Sequence, residues 1–120
     1  MAKKALEALS EPMFYVLMAF QPGPRCGTEI ASSVEKRTQG RVRLGPGTLY
    51  TILAKFEEEG LIREQSILGR KRTYSLTELG EQRYQEELRR LRACLRDAAE
   101  TERELSAAPV PTEEEGAQWA

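Results

Sequence analysis

Between Gly45 and Gly60 the apolar residues fall at Leu49, Ile52, Leu53 and Phe56. This i, i+3, i+4, i+7 spacing is that of a helix buried along one side. Pro46 suits the first helical position with Gly45 before it as N-cap, and Gly60 suits the left-handed residue just past the last turn. The segment therefore predicts an amphipathic helix with defined ends, and the rest of the chain must supply the surface it packs on.

The flanking sequence supplies two more helices and a hairpin. A first helix is expected from Ser10, a good N-cap with Pro12 in the first turn, and Phe14, Leu17 and Met18 form its inner face. Gln21-Pro22-Gly23-Pro24 stops it. A second helix is expected over roughly Gly27 to Arg37, with Ile30, Ala31 and Val34 inside and Lys36 and Arg37 in the last turn, where cations suit the helix dipole. Gly40 closes it. Arg41-Val42-Arg43-Leu44 alternates polar and apolar, as a short strand or an extended linker does. After the third helix, Leu61 to Ile67 and Arg72 to Leu76 are strand-like, and Gly69, Arg70 and Lys71 form the tip between them. Thr77 is placed to cap a long fourth helix.

The order helix, helix, turn, helix, hairpin is a winged helix-turn-helix plan. The expected fold class is mainly α with a small β-hairpin and a long C-terminal dimerisation helix. Residues 1–77 form the winged domain, 78–105 the fourth helix, and 106–120 an acidic tail with two prolines and Glu113-Glu114-Glu115, expected to be disordered.

Charge enters because this plan suits nucleic acid. The net charge of −1 argues little for that, but its distribution matters more. Residues 1–80 carry twelve Lys+Arg against nine Glu, and residues 81–120 carry six Arg against ten Asp+Glu. The globular part is mildly basic. Other functions are disfavoured. There is no histidine, and the two cysteines, Cys26 and Cys94, form no CxxC pair, so neither a zinc site nor a cofactor is expected. Cys94 lies beside the stripe of the fourth helix and reads as a small hydrophobe. No nucleophile–base pair is visible, so no enzyme is expected. The longest apolar run, Met13 to Phe20, is too short to span a bilayer, and no secretory leader is seen, so a cytoplasmic location and no membrane partner are expected.

The third helix carries the candidate recognition surface. Opposite its apolar stripe lie Gly47, Thr51 and Ala54, with Thr48, Tyr50 and Lys55 on the flanks. Small and hydrogen-bonding groups at the N-terminal end of a helix suit the major groove and nearby phosphates. Thr and Ala can touch a thymine methyl, and Tyr and Lys can reach phosphate oxygens. Arg70, Lys71 and Arg72 at the hairpin tip form a cationic wing. Glu57, Glu58 and Glu59 repel phosphate, so only the first two turns are expected to enter the groove. An ordinary solvated surface helix with a charged turn remains the plainer alternative for each feature taken alone.

Gly45-Pro46-Gly47-Thr48-Leu49-Tyr50, Leu53 and Glu57-Glu58-Glu59-Gly60-Leu61-Ile62 resemble the signature of PadR-family transcriptional regulators. So does the wing followed by Arg72-Thr73-Tyr74-Ser75-Leu76-Thr77-Glu78-Leu79-Gly80, and upstream Gly27-Thr28-Glu29-Ile30. The resemblance covers about residues 10–80. It implies a homodimeric winged-helix repressor binding double-stranded DNA at a palindromic operator, with a small-molecule effector as a candidate partner. It assigns DNA contact to Gly47, Thr48, Tyr50 and Lys55 and to the wing. Gly45 stands where Ser is usual, Thr51 where Pro is common, and Cys26 and Thr28 where His and Tyr are usual.

In the fourth helix Tyr84, Leu88, Leu91, Leu95 and Ala98 are spaced in heptad steps. The expectation is that this stripe pairs with a second subunit. Packing on the chain's own first helix is the alternative. Trp119 in the tail is expected to be disordered. The competing function is a winged-helix protein-interaction module that does not bind DNA, which the Glu57–Glu59 run favours and the wing cations oppose.

Overall fold

The computed structural model describes residues 8–68 and 71–107. The elements run α1 (Glu11–Ala19), β1 (Arg25–Cys26), α2 (Gly27–Arg37), α3 (Pro46–Glu58), β2 (Ile62–Leu68), β3 (Lys71–Leu76) and α4 (Glu78–Ala107). The three strands form one antiparallel sheet in the order β1-β3-β2. The residues up to Leu88 make one compact unit, and those from Arg89 a second.

The core of the first unit is built from the expected stripes. Leu49, Ile52, Leu53 and Phe56 of α3 are all buried, Phe56 completely. Each such side chain contributes about 1.5–3 kcal/mol on leaving water. From α2 come Ile30 and Val34, while Ala31 is only half-buried. Helix α1 is more deeply embedded than its expected stripe. Phe14, Val16, Leu17 and Ala19 are buried and Met18 only half-buried, because α1 is apolar nearly all round and several neighbours cover it.

Helix ends follow the sequence signals. The Ser10 hydroxyl caps α1 by accepting from the Met13 N–H at 3.3 Å. Gly60, at φ 76°, ends α3 in a Schellman turn. There Leu61 N–H donates to Phe56 O at 2.8 Å and Gly60 N–H to Glu57 O at 3.1 Å. Gly45 caps α3 without a side-chain bond, as its lack of a hydroxyl requires.

Residues 41–44 are a linker that bends at Arg41 and Val42, and not a strand. Val42 and Leu44 point into the core and Arg41 and Arg43 outward, as the alternation indicated. The linker is held from both sides. Thr38 Oγ1 accepts from Val42 N–H at 3.0 Å and lies 2.9 Å from Val34 O. The Arg41 guanidinium donates to Glu11 and, at 2.9 Å, to the Tyr15 hydroxyl. Both groups belong to α1, so the turn before α3 is tied to the first helix.

The hairpin is in register from Ile62↔Leu76 to Leu68↔Lys71, with one irregularity at Gln65, between Glu64↔Tyr74 and Ser66↔Thr73. Gly69 and Arg70 lie outside the described residues. The two-residue β1 pairs with β3 through Arg25↔Tyr74 and Cys26↔Thr73. It has no sequence signal, since two residues show no period.

The entry to α4 is the tightest joint. Thr77 N–H donates to Leu61 O at 3.0 Å, the Thr77 hydroxyl donates to Gly60 O at 2.6 Å, and Thr77 Oγ1 accepts from Gly80 N–H at 3.0 Å. One residue thus caps α4 and clasps the end of α3. Thr77→Ala should cost about 1–2 kcal/mol. A fall in melting temperature of roughly 4–8 °C per kcal/mol, read by circular dichroism, checks it; an unchanged melt would deny the clasp.

Helix α4 ends at Ala107, two residues beyond expectation, and the acidic tail from 108, with Trp119, lies outside the described residues. Tyr84, expected on the pairing stripe, is buried in its own chain. Its ring stacks on Phe14 of α1, with centroids 5.1 Å apart and planes at 13°. Such a stack adds about 0.5–1.5 kcal/mol beyond burial. The early turns of α4 therefore pack back on the first helix. In the second unit Leu91 is half-buried, whereas Leu95 and Ala98 are exposed. Cys94 is exposed and Cys26 buried, so the small-hydrophobe reading fits Cys26 and not Cys94.

Candidate nucleic-acid interface

The inward stripe of α3 fixes what the helix shows outside. Gly47, Thr48, Tyr50, Thr51, Ala54 and Lys55 are all exposed. Their common orientation follows from the burial of Leu49, Ile52, Leu53 and Phe56, not from contacts of their own. The Thr51 hydroxyl donates to Gly47 O at 2.8 Å. Its hydrogen is thus occupied, and outward it can only accept. Nothing lies within 4 Å of a Cβ built on Gly47, so the fold does not require glycine there.

Tyr50 is placed more specifically than its spacing suggested. A Cβ added to Gly27 would stand 3.1 Å from the Tyr50 hydroxyl and 3.4 Å from its ring. The ring therefore lies over the first residue of α2, and Gly27 leaves room for it. Tyr50 is still 54% exposed, so its hydroxyl is positioned and also reachable. Helix spacing in α3 alone could not show this contact, because it depends on where α2 begins.

Tyr50 also links α3 to the wing. It lines a concavity of about 110 Å³ with Gly27, Thr28, Lys71, Arg72 and Tyr74. Tyr74 is buried, and that burial pushes its phenol above the usual tyrosine range, so it stays neutral at physiological pH. Lys71 and Arg72 are exposed. Arg72 Nε lies 2.7 Å from Glu64 Oε2 across the hairpin. Part of its charge is answered within the chain, and the remaining guanidinium nitrogens are free of that bond. Arg70, the other wing cation expected from sequence, lies outside the described residues.

A second open concavity, of about 570 Å³, runs along α3 and is lined by Tyr50, Thr51, Ala54, Lys55, Glu58 and Glu59. Its character changes along its length, from hydroxyl groups and a cation to carboxylates. The acidic end limits how much of α3 suits an anionic partner.

Glu29, at the start of α2, is not a free negative charge. Its Oε1 accepts from Cys26 N–H at 2.9 Å. That backbone bond first, then the Cys26 side chain, with Lys71 and Arg25 adding charge, holds its carboxyl below the usual range. The structure thus brings together Tyr50, Lys71 and Arg72 with Thr28, and leaves Gly47, Thr48, Thr51 and Lys55 exposed on the same helix as Tyr50. Sequence reading did not assign Thr28 to this surface, since its place beside Tyr50 and the wing depends on how α2 packs against both.

A three-helix core with a two-helix turn, an outward-facing α3 and a cationic hairpin beside it defines a winged helix-turn-helix protein. The profile of the transcriptional regulator PadR-like family matches residues 16–86. The chain belongs to that family. A transcriptional regulator from Clostridium thermocellum superposes with a TM-score of 0.66 at 20% identity, covering 78% of this chain and 97% of that one. Bacillus subtilis PadR in complex with operator DNA gives a TM-score of 0.57 at 25% identity, over 63% of this chain and 45% of that one. A curated relative, an uncharacterized 37.1 kDa protein in a transposon of Streptomyces fradiae, is 38% identical over 71 residues. Those residues are 59% of this chain and only 20% of that relative. No helix among the described residues is long and apolar enough to cross a membrane.

Proposed function

We propose that this protein binds double-stranded DNA sequence-specifically as a homodimer and represses transcription at a palindromic operator. The observation that carries the reading is the outer face of α3. Six residues from Gly47 to Lys55 are exposed and small or hydrogen-bonding, and one of them, Tyr50, shares a concavity with Lys71 and Arg72. Such a face matches base edges, and the cations match phosphates. The operator complex of Bacillus subtilis PadR, a protein of the same fold, supports DNA as the partner.

Homodimer formation is supported by α4. Leu91, Leu95, Ala98 and Leu105 recur at steps of four, three and seven, and Leu95 and Leu105 are 70% and 66% exposed. A second copy would cover that stripe and place two recognition helices about one DNA turn apart. A small effector acting at the paired helices would alter that separation and release the operator.

The test is a gel-shift titration against a selected duplex and a random one. Thr48→Ala and Tyr50→Ala should each lose about 1–3 kcal/mol of discrimination, roughly five- to 150-fold, as befits lost contacts to base edges. Wild-type protein that shows no preference between the duplexes would overturn the reading. Failure to bind either duplex, with capture of a protein partner, would favour the interaction module that the acidic end of α3 suits.

A further inference from the structure

One side of α4 is strongly basic and is left unused by the reading above. Arg89, Arg92, Arg96 and Arg103 are all exposed, and at 100° per residue they fall within an arc of about 60°. Arg89, Arg96 and Arg103 each stand two residues before Leu91, Ala98 and Leu105. The basic row therefore runs alongside the apolar stripe, about 130° round the helix from its midline, and covers about 21 Å of the axis. No salt bridge among the described residues takes up any of the four guanidiniums. Asp97, Glu100 and Glu104 occupy the next face round, without an ion pair to the row. Like charges three and four residues apart repel, as Arg89, Arg92 and Arg96 do here. The dipole of α4 favours Arg103 near its C-terminus but not the three before it.

The chain itself carries the complementary charge. Residues 108–120, which follow α4 and lie outside the described residues, contain Glu113, Glu114 and Glu115 and no Lys or Arg. Pro109 and Pro111 lack the N–H that a continuing helix needs, so the sequence does not favour a straight extension of α4. Arg103 and Arg96 stand about 6 and 17 Å back along the axis from Ala107. Glu113 to Glu115 follow Ala107 by about 20–26 Å of extended chain, so they reach both. An open concavity of about 670 Å³, lined by Ala99, Glu102, Arg103, Ser106 and Ala107, lies on the way. A segment too polar to build a core of its own still docks when tethered. Single exposed ion pairs are weak, but a short linker presents three carboxylates at millimolar effective concentration. Trp119 adds a ring suited to stacking on a guanidinium.

We infer that the arginine row of α4 is the docking surface for the chain's own acidic tail, in which Glu113 to Glu115 pair with Arg96 and Arg103 and the Trp119 indole lies against a guanidinium of the same row. So covered, the row is withheld from phosphate, which would otherwise bind it without regard to sequence. The exposed cations left for nucleic acid are then those beside α3 and on the wing. The seat of the tail does not depend on the DNA-binding reading; only this consequence does.

Trp119 is the chain's one tryptophan, so its fluorescence reports on the tail alone. The full chain is titrated with acrylamide, an uncharged quencher, at about 0.01 M and 1 M salt, where the screening length is about 30 Å and 3 Å. Quenching should be about threefold weaker at the lower salt, where the ring is covered. Arg96→Gln with Arg103→Gln should show the high-salt value at both. Arg96→Glu with Arg103→Glu should do the same, and adding Glu113→Lys, Glu114→Lys and Glu115→Lys should restore the protection. Both arginines are exposed, and an unchanged far-ultraviolet circular dichroism spectrum verifies the fold. Quenching that is indifferent to salt, or to the loss of the two arginines, overturns the inference. Protection that vanishes when the protein is diluted puts the tail on a second copy and overturns its seat on its own chain. None of these readouts involves DNA, so their failure leaves sequence-specific binding in place, and a protein that binds no duplex leaves the seat of the tail in place.

Discussion

Gly80→Ala should lower the melting temperature by roughly 10–20 °C, a loss of about 3 kcal/mol. Elsewhere in a helix the same change is favourable by about 1 kcal/mol, so the sign itself is diagnostic. The reason lies in the joint between the wing and α4. A Cβ on Gly80 would drive into Leu61 O and stand 2.9 Å from Leu76 Cδ2. Leu76 can rotate away, but the Leu61 carbonyl cannot, because it accepts the Thr77 N–H at 3.0 Å. Adding one methyl group must therefore shift α4 off the end of α3 and break the Thr77 clasp. Gly47→Ala is the internal contrast. With nothing within 4 Å, it should leave the melt unchanged or raised. Any loss of DNA affinity at Gly47 would then report close approach of a ligand and not a damaged fold. A Gly80→Ala protein that melts within a degree or two of wild type would show that the joint is looser than the structure has it.

Leu91→Asp combined with Leu95→Asp should convert the proposed dimer to a monomer and weaken operator binding by at least about a hundredfold. The dependence comes from linking two recognition surfaces. When one half-site is bound, the second binds at high effective concentration, and that gain, about 10²–10⁴, is lost with the partner. Leu95 is 70% exposed within its own chain and Leu91 half-buried, so the chain's own core loses little. Sedimentation equilibrium reads the assembly and a gel shift reads the affinity. A variant that stays dimeric, or a monomer that binds the operator as tightly as wild type, would remove α4 from the mechanism. Tyr84 is not the residue to change for this purpose. Its stack on Phe14 means that its loss would damage α1 and α4 together.

The parts of the fold that were legible in the sequence are those written in short-range chemistry. The stripe from Leu49 to Phe56, the Ser10 and Thr77 caps and the left-handed Gly60 each act within a few residues, and all stand where their spacing indicated. What escaped depends on partners distant in sequence. Strand β1 exists only because Arg25 and Cys26 meet Tyr74 and Thr73. The seat of Tyr50 over Gly27 needs the α2–α3 crossing, and the burial of Tyr84 needs Phe14. The heptad steps from Tyr84 to Ala98 showed a stripe but not what each position faces, since one period serves an intramolecular core and a subunit interface alike. The outer face of α3 was legible for a simple reason: once four positions are committed to the core, helical geometry leaves the others outside.

The claim on which the rest depends is that the exposed face of α3 reads base edges. Selection of bound fragments from a random duplex pool by the intact protein, followed by sequencing, tests it directly. The account predicts one enriched inverted repeat whose half-sites lie about one helical turn, 10–10.5 base pairs, apart, with enrichment weakened in Thr48→Ala. A pool that emerges unenriched, or an enriched site indifferent to every exposed residue from Gly47 to Lys55, would contradict it.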